Sequence, residues 1–275
     1  MLKFAFAKLN LGLQVLRKRE DGFHEIKTCM YPLFWNDAVE VVKSKVNSRH
    51  IHGLDIPGEA SSNLIEMAYR MLKEEFNLPQ ISWSIIKDIP IGAGMGGGSS
   101  DGTHALLILN ELFKLNLSET ALVEYAARLG SDCAFFLQAK AAIASGRGEK
   151  IEYIDLNLEA YKALIVYPQL LISTKEAYKG LKLREQHEDF YDIIKEPIER
   201  WQGKLINDFE ASIFSKHEVL AKIKNSLLEH GAMYASMSGS GSTIFGIFLK
   251  DYNLKELEQM FSKNAYLTRE LNLAL

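Results

Sequence analysis

Pro90-Ile91-Gly92-Ala93-Gly94-Met95-Gly96-Gly97-Gly98-Ser99-Ser100-Asp101 puts five glycines into the seven positions from 92 to 98. Its context decides its meaning. Residues 81–89 read as a strand, and residues 99–115 carry Leu106, Leu109 and Leu112 in a pattern that is apolar almost all round, which predicts a buried helix. Glycines remove side chains so that backbone N–H groups line a concavity, and the start of the following helix adds its positive dipole end. The loop therefore suits a di- or triphosphate. It is not a Walker loop, because no Gly-Lys-Ser/Thr closes it, and it lacks the spacing of a dinucleotide fingerprint. A solvated glycine linker would not feed an all-apolar helix.

Upstream, residues 4–15 alternate with period two. Leu9, Leu11, Leu13 and Val15 fall on one face, and Phe4, Phe6, Lys8 and Asn10 on the other. Lys8 and Asn10 thus point the same way, either toward one ligand or into solvent as an exposed polar face. Asp21-Gly22 marks a turn, and residues 25–33 resume as a strand, so the chain opens as a hairpin or meander with Phe23 and His24 at its tip. Residues 38–46 predict a further strand. Residues 63–76 predict a helix through Leu64, Ile65, Ala68, Met71 and Leu72, with Ser61 and Ser62 as caps.

Downstream, residues 118–128 predict an amphipathic helix ended by Gly130, and residues 141–154 a strand kinked at Gly146-Arg147-Gly148. Asp132, in Gly130-Ser131-Asp132, is either a helix cap or a group with chemistry to do. The pattern breaks near residues 155–159, which predicts two α+β domains, 1–155 and 156–275. The second contains the apolar strand 163–167, helices around 175–182 and 217–229, and a closing strand 243–249. Ser238-Gly239-Ser240-Gly241-Ser242 is a second small-residue loop, either a close approach to ligand or a plain tight turn.

Composition bounds the function. Of the 275 residues 47% are hydrophobic and 24% charged, the balance of a globular enzyme, and a formal net charge of -3 with interspersed signs leaves no polyanion-binding face. No nucleic acid and no membrane partner is expected. Two cysteines, Cys29 and Cys133, are too few for a disulfide framework and read as free thiols of a reducing, cytoplasmic compartment. Residues 1–15 carry Lys3, Lys8 and Asn10 and do not read as a signal peptide. His50 and His52 have no third ligand nearby and read as a solvated loop. No metal site in the protein itself is expected.

Three segments in order resemble the motifs of the GHMP kinase superfamily, whose members include galactose, homoserine, mevalonate and phosphomevalonate kinases. They are Ala7-Lys8-Leu9-Asn10-Leu11, Pro90 to Asp101, and Met237 to Gly246. Residues 19–25 (Arg-Glu-Asp-Gly-Phe-His-Glu), 130–137, 173–178 and 207–210 extend the likeness over most of the chain. They narrow it to members acting on a cytidine diphosphate-linked methylerythritol. The resemblance implies a ribosomal-protein-like N-terminal domain and a ferredoxin-like C-terminal domain, with the active site between them.

It also implies ATP-dependent phosphorylation of a 2-hydroxyl in non-mevalonate isoprenoid precursor synthesis, by a monomer or homodimer. In this reading Asp132 takes the hydroxyl proton, Lys8 neutralises charge beside it, and Asn10 positions the methylerythritol group. His24 meets the cytosine edge, Phe23 and Tyr178 its faces, and Thr174 lines the same substrate. Pro90, Ile91, Gly92, Ala93, Gly94, Met95, Gly96, Gly97, Gly98, Ser99 and Ser100 hold ATP, and Gly239, Ser240 and Gly241 support them. Magnesium arrives with ATP, with Ser100 a candidate ligand. Phe23 replaces the family's more usual tyrosine, and Ser242 a frequent proline. The alternatives are a homoserine- or mevalonate-type kinase, which has no need of Asp21-Gly22-Phe23-His24; a decarboxylase-like lyase, which would release carbon dioxide along with ADP; or a non-catalytic metabolite sensor, against which Lys8, Asn10 and Asp132 argue.

Overall fold

The computed structural model describes residues 1–57, 60–184 and 188–274. Its order is β1 (Leu2–Lys18), β2 (His24–Lys43), β3 (Ser48–Gly53), α1 (Leu64–Phe76), β4 (Ile81–Lys87), α2 (Gly97–Leu112), α3 (Glu119–Leu129), β5 (Ala142–Gly146), β6 (Lys150–Tyr153), β7 (Tyr161–Tyr167), α4 (Thr174–Lys179), α5 (Phe190–Ile194), α6 (Glu210–Lys216), α7 (Glu218–Glu229), β8 (Tyr234–Met237), β9 (Ile244–Leu249), α8 (Lys255–Ser262) and β10 (Leu267–Asn272). A 3-10 segment, Cys133–Leu137, follows α3.

β1 and β2 are long enough to serve two neighbourhoods each. β2 pairs with β1 along most of its length, with β5 near its start (Ile26 opposite Gly146) and with β4 near its end (Ala38 opposite Ile86). The residue 38–46 strand is thus the far end of β2 and not a separate element, because one twisted strand carries both pairings. The expected kinked strand at 141–154 is a hairpin, β5 and β6, with Gly146 and Gly148 at positive φ in the turn. His50 and His52 lie on edge strand β3, not in a loop. β4 buries Ile81, Trp83, Ile85 and Lys87 and, with α1, α2 and α3 against the sheet, closes a core through Val39, Leu72, Leu106 and Leu109.

Local signals set the helix ends. Asn63 caps α1, its Oδ1 accepting the Ile65 N–H at 2.9 Å, in place of the expected Ser61 or Ser62. α3 runs from a Ser118 cap to Gly130, as its pattern predicts. The glycine loop enters its helix early, so that α2 begins at Gly97 behind a left-handed Gly96.

The second sheet is ordered β10-β7-β9-β8 with antiparallel neighbours. Numbered along the unit this is 4-1-3-2, the ferredoxin-like arrangement. The unit does not close at residue 249 as the pattern suggested; α8 and β10 follow and complete the sheet on the far side of β7. Leu13 joins the two units, its N–H meeting the Ile206 carbonyl at 2.9 Å and its carbonyl the Asp208 N–H at 2.8 Å. A shared core runs from Leu9, Leu11 and Tyr31 to Ile165, Trp201 and Phe245. Both cysteines are buried free thiols, pushed up to about 12 by burial. No helix among the described residues is long and apolar enough to cross a membrane.

Candidate active site

β1 aims Lys8 and Asn10 into a cleft between the two units, and both side chains are almost fully buried. The Lys8 ammonium contacts Asn10 Oδ1, donates to the Gly94 carbonyl at 3.1 Å and lies 3.4 Å from Asp132 Oδ2. Asn10 Nδ2 in turn donates to Thr28 Oγ1 at 3.0 Å, which fixes the amide. The alternative of a solvated polar face is therefore excluded. Asp132 makes no side-chain cap to the 3-10 segment it precedes; its carboxylate, 30% exposed, looks into the cleft with Lys8 behind it.

The two small-residue loops lock onto each other. The Gly94 carbonyl also accepts Ser238 Oγ at 2.9 Å, the Lys8 N–H reaches the Met95 carbonyl at 3.0 Å, and the Thr243 N–H reaches Ala93 at 3.2 Å. Gly94 has φ +82°, and a Cβ there would lie 2.1 Å from the Ser238 carbonyl oxygen, so glycine alone fits. Asn207 Nδ2 bridges the Met237 and Gly239 carbonyls at 2.7 and 2.8 Å. The loop of residues 238–242 is thus more than a plain turn: it is a brace under the glycine loop.

α2 presents its first turn to the cleft with no side-chain cap. Gly98 is exposed there, and a Cβ on it would meet nothing within 4 Å. Uncapped N–H groups at a helix N-terminus beside open space suit an anionic oxygen. Ser99 lines the cleft. Ser100 does not: it is wholly buried, with Oγ 3.3 Å from His104 Nδ1, so its hydroxyl is turned away from any nucleotide-borne metal. Met95 is likewise buried beneath the loop.

At the other end of the cleft stand Phe23, His24, Thr174, Lys175 and Tyr178. His24 lies flat on Tyr178, centroids 4.5 Å apart at 20°, and Phe209 meets Tyr178 edge-on at 4.9 Å, because each ring buries its faces on the next. Burial, with Lys18 nearby, lowers the His24 pKa and so favours the neutral ring. Phe23 is half exposed and has the Arg147 guanidinium over its ring at 5.0 Å.

The cleft has a volume of about 880 Å³. A smaller cavity of about 190 Å³, lined by Arg49, Ile56, Asn63, Leu64, Lys87 and Asp101 among others, opens beside it and shares Leu64, Ile91 and Gly98 with it. This cavity, the place of Arg147 in the cleft and the buried cluster Asp37-Lys87-Asp101 are not among the features expected from the sequence.

This layout is that of known proteins. The family models "GHMP kinases N terminal domain" and "GHMP kinases C terminal" match residues 63–140 and 188–267. The chain belongs to the GHMP kinase family. Among its relatives in that family is the 4-diphosphocytidyl-2-C-methyl-D-erythritol kinase of Bacteroides thetaiotaomicron, 44% identical over 94% of this chain and 96% of the relative. The enzyme of the same name from Cytophaga hutchinsonii is 41% identical over 90% and 92%. A crystal structure of 4-(cytidine 5'-diphospho)-2C-methyl-D-erythritol kinase superposes with a TM-score of 0.82 at 28% identity, covering 99% of both chains. A homoserine kinase structure, also from Cytophaga hutchinsonii, reaches a TM-score of 0.71 at 17% identity, covering 100% of this chain and 95% of that one, a likeness of fold.

Proposed function

We infer that this GHMP kinase phosphorylates the 2-hydroxyl of 4-diphosphocytidyl-2-C-methyl-D-erythritol with ATP, giving the 2-phosphate and ADP. The observation that carries the reading is one cleft with three parts: an uncapped helix start beside open space, the Lys8–Asp132 pair, and a cluster of aromatic rings beyond. We assign the phosphate-loop half to residues 1–155 and its partner to 156–275. A coupled ADP-release assay tests the reading directly. Turnover with the cytidylyl substrate and not with homoserine or mevalonate is the expected result; preference for either of the latter overturns it.

The polyphosphate of ATP lies along the loop of residues 90–99, against the backbone N–H groups that open α2. Since the aromatic end of the cleft suits cytosine, the adenosine takes the smaller cavity past Gly98. Phosphoryl transfer passes through a loose transition state, so positioning and charge stabilisation outweigh proton removal. Lys8 supplies a fixed positive charge at the point of transfer. Asp132 orients the hydroxyl and receives its proton, and Asn10, held by Thr28, places the alcohol.

Among the described residues no cluster of three or more His, Cys, Asp or Glu gathers to hold a metal. A hard oxygen donor on the cleft wall, Ser99, fits magnesium that arrives on the nucleotide with its own waters. Bound there, it would neutralise phosphate charge.

Gly98→Ala separates this site from the fold. The position is helical with open space around its Cβ, so alanine should stabilise the chain slightly, by about 0.4–1 kcal/mol. The same methyl should push a phosphate off its N–H donor and raise KM for ATP roughly 10–100-fold, the worth of one charge-assisted hydrogen bond. Thermal melts alongside ATP titrations check it; an unchanged KM removes Gly98 from the nucleotide site.

His24→Ala should raise KM for the cytidylyl substrate on the order of tenfold, through one lost edge hydrogen bond and a disturbed ring stack, and spare ATP. Steady-state kinetics with each substrate varied in turn would show equal damage to both if the assignment is wrong.

A further inference from the structure

We propose that Arg147, on the turn between β5 and β6, binds the diphosphate of the cytidylyl substrate and selects for it, an inference that rests on the function proposed above. The substrate has an alcohol at one end, a base at the other and two phosphates between them. Arg147 stands in the corresponding middle place. Its neighbour Gly148 packs against the alcohol end, where a Cβ would lie 3.5 Å from Asp132 Oδ1. Its own guanidinium covers Phe23 at the base end, 5.0 Å from the ring centroid. Both Arg147 and Asp132 line the cleft.

The cation also makes no close ion pair, although its charge helps hold the Asp21 carboxyl low. The acids around it are engaged elsewhere: Arg19 takes Asp21 at 2.8 Å and reaches Glu25 at 3.7 Å, and Glu149 accepts the backbone N–H of Arg147 itself at 2.6 Å. Among the described residues no carboxylate forms an ion pair with the Arg147 side chain. Lys8, the other cation near the transfer point, is already bound to Asn10, Gly94 and Asp132. A guanidinium stacked on a ring is pre-organised for bidentate contact with phosphate oxygens, whereas Lys175, across the cleft on α4, is an exposed flexible ammonium. The pairing β2–β5, with Ile26 opposite Gly146, holds the turn in this place.

The experiment compares wild type, Arg147→Met, Arg147→Lys and Lys175→Met. Arg147→Met should raise KM for the cytidylyl substrate about 10–100-fold, as loss of a charge-assisted contact predicts, with far smaller changes in kcat at saturation and in KM for ATP. Arg147→Lys should recover part of the loss. Calorimetric titration with CDP and with cytidine gives an independent readout: wild type and Lys175→Met should prefer CDP, and Arg147→Met should lose that preference. An unchanged KM in Arg147→Met, an equal rise in KM for ATP, or loss of the CDP preference only in Lys175→Met overturns the assignment. Failure of wild type to turn over the cytidylyl substrate at all removes the underlying reading instead, and the proposal with it.

Discussion

Asp132→Asn is expected to lower kcat by roughly 10²–10⁴-fold while leaving KM for both substrates little changed. Asparagine keeps the shape of the side chain and its place beside Lys8, so the fold and the ground-state contacts survive. Two things are lost, the acceptor for the hydroxyl proton and a negative charge that orients that hydroxyl along the line of attack. A loss near the lower bound identifies Asp132 as an orienter, since a loose transition state demands little proton removal before the phosphoryl group moves. A loss near the upper bound identifies it as a base. Pre-steady-state rates of ADP formation distinguish slowed chemistry from slowed release, and a rate close to wild type takes Asp132 out of the mechanism.

Much of this arrangement was legible before any coordinates, for a physical reason. The glycine loop declares itself because strand, loop and buried helix are consecutive, so their signals are all local. The same holds for Ser118 and Gly130 at the ends of α3. The position of the Asp132 carboxylate is not locally legible. Whether its carboxylate caps a helix or faces Lys8 depends on a contact between distant segments, and only the likeness to other kinases pointed the right way. Arg147 was hidden more deeply, since its turn reads as a kink within one strand until β5 is seen to pair with β6. In the second unit, β10 went unread because Leu267–Asn272 is an edge strand with mixed exposure and no apolar run, and β8 because four residues give too short a period. Lys87 is a different case. Ile81, Trp83, Ile85 and Lys87 alternate onto one buried face, and that lysine at an inward position was a signal available in the sequence.

Replacing that lysine gives the largest expected effect on stability. The Lys87 ammonium contacts Asp37 and lies 2.9 Å from Asp101 Oδ2, with all three side chains buried. Asp37 Oδ1 meanwhile accepts the N–H groups of Asp88 at 2.6 Å and Ile89 at 2.9 Å, just before the glycine loop. Asp101 belongs to α2, just after that loop, so one ammonium ties together the two ends of the glycine loop. Lys87→Met leaves two buried carboxyls without their cation and should cost about 3–5 kcal/mol in urea unfolding.

Asp101→Asn in the same background should recover part of that loss. It should also change the pH dependence. Desolvation, together with Asp37 nearby, pushes the Asp101 carboxyl from 3.8 up to about 8, and its Oδ1 has no hydrogen-bond partner among the described residues. The folded chain therefore keeps a proton between about pH 4 and pH 8 that the unfolded chain has released. Its contribution is full below the unfolded value and is lost as pH rises through the folded one, so wild-type stability should fall across this window more steeply than that of Asp101→Asn. Unfolding curves at pH 5 and pH 8 measure both effects. A Lys87→Met protein within 1 kcal/mol of wild type, or equal slopes with and without Asp101, would mean the cluster does not hold the loop.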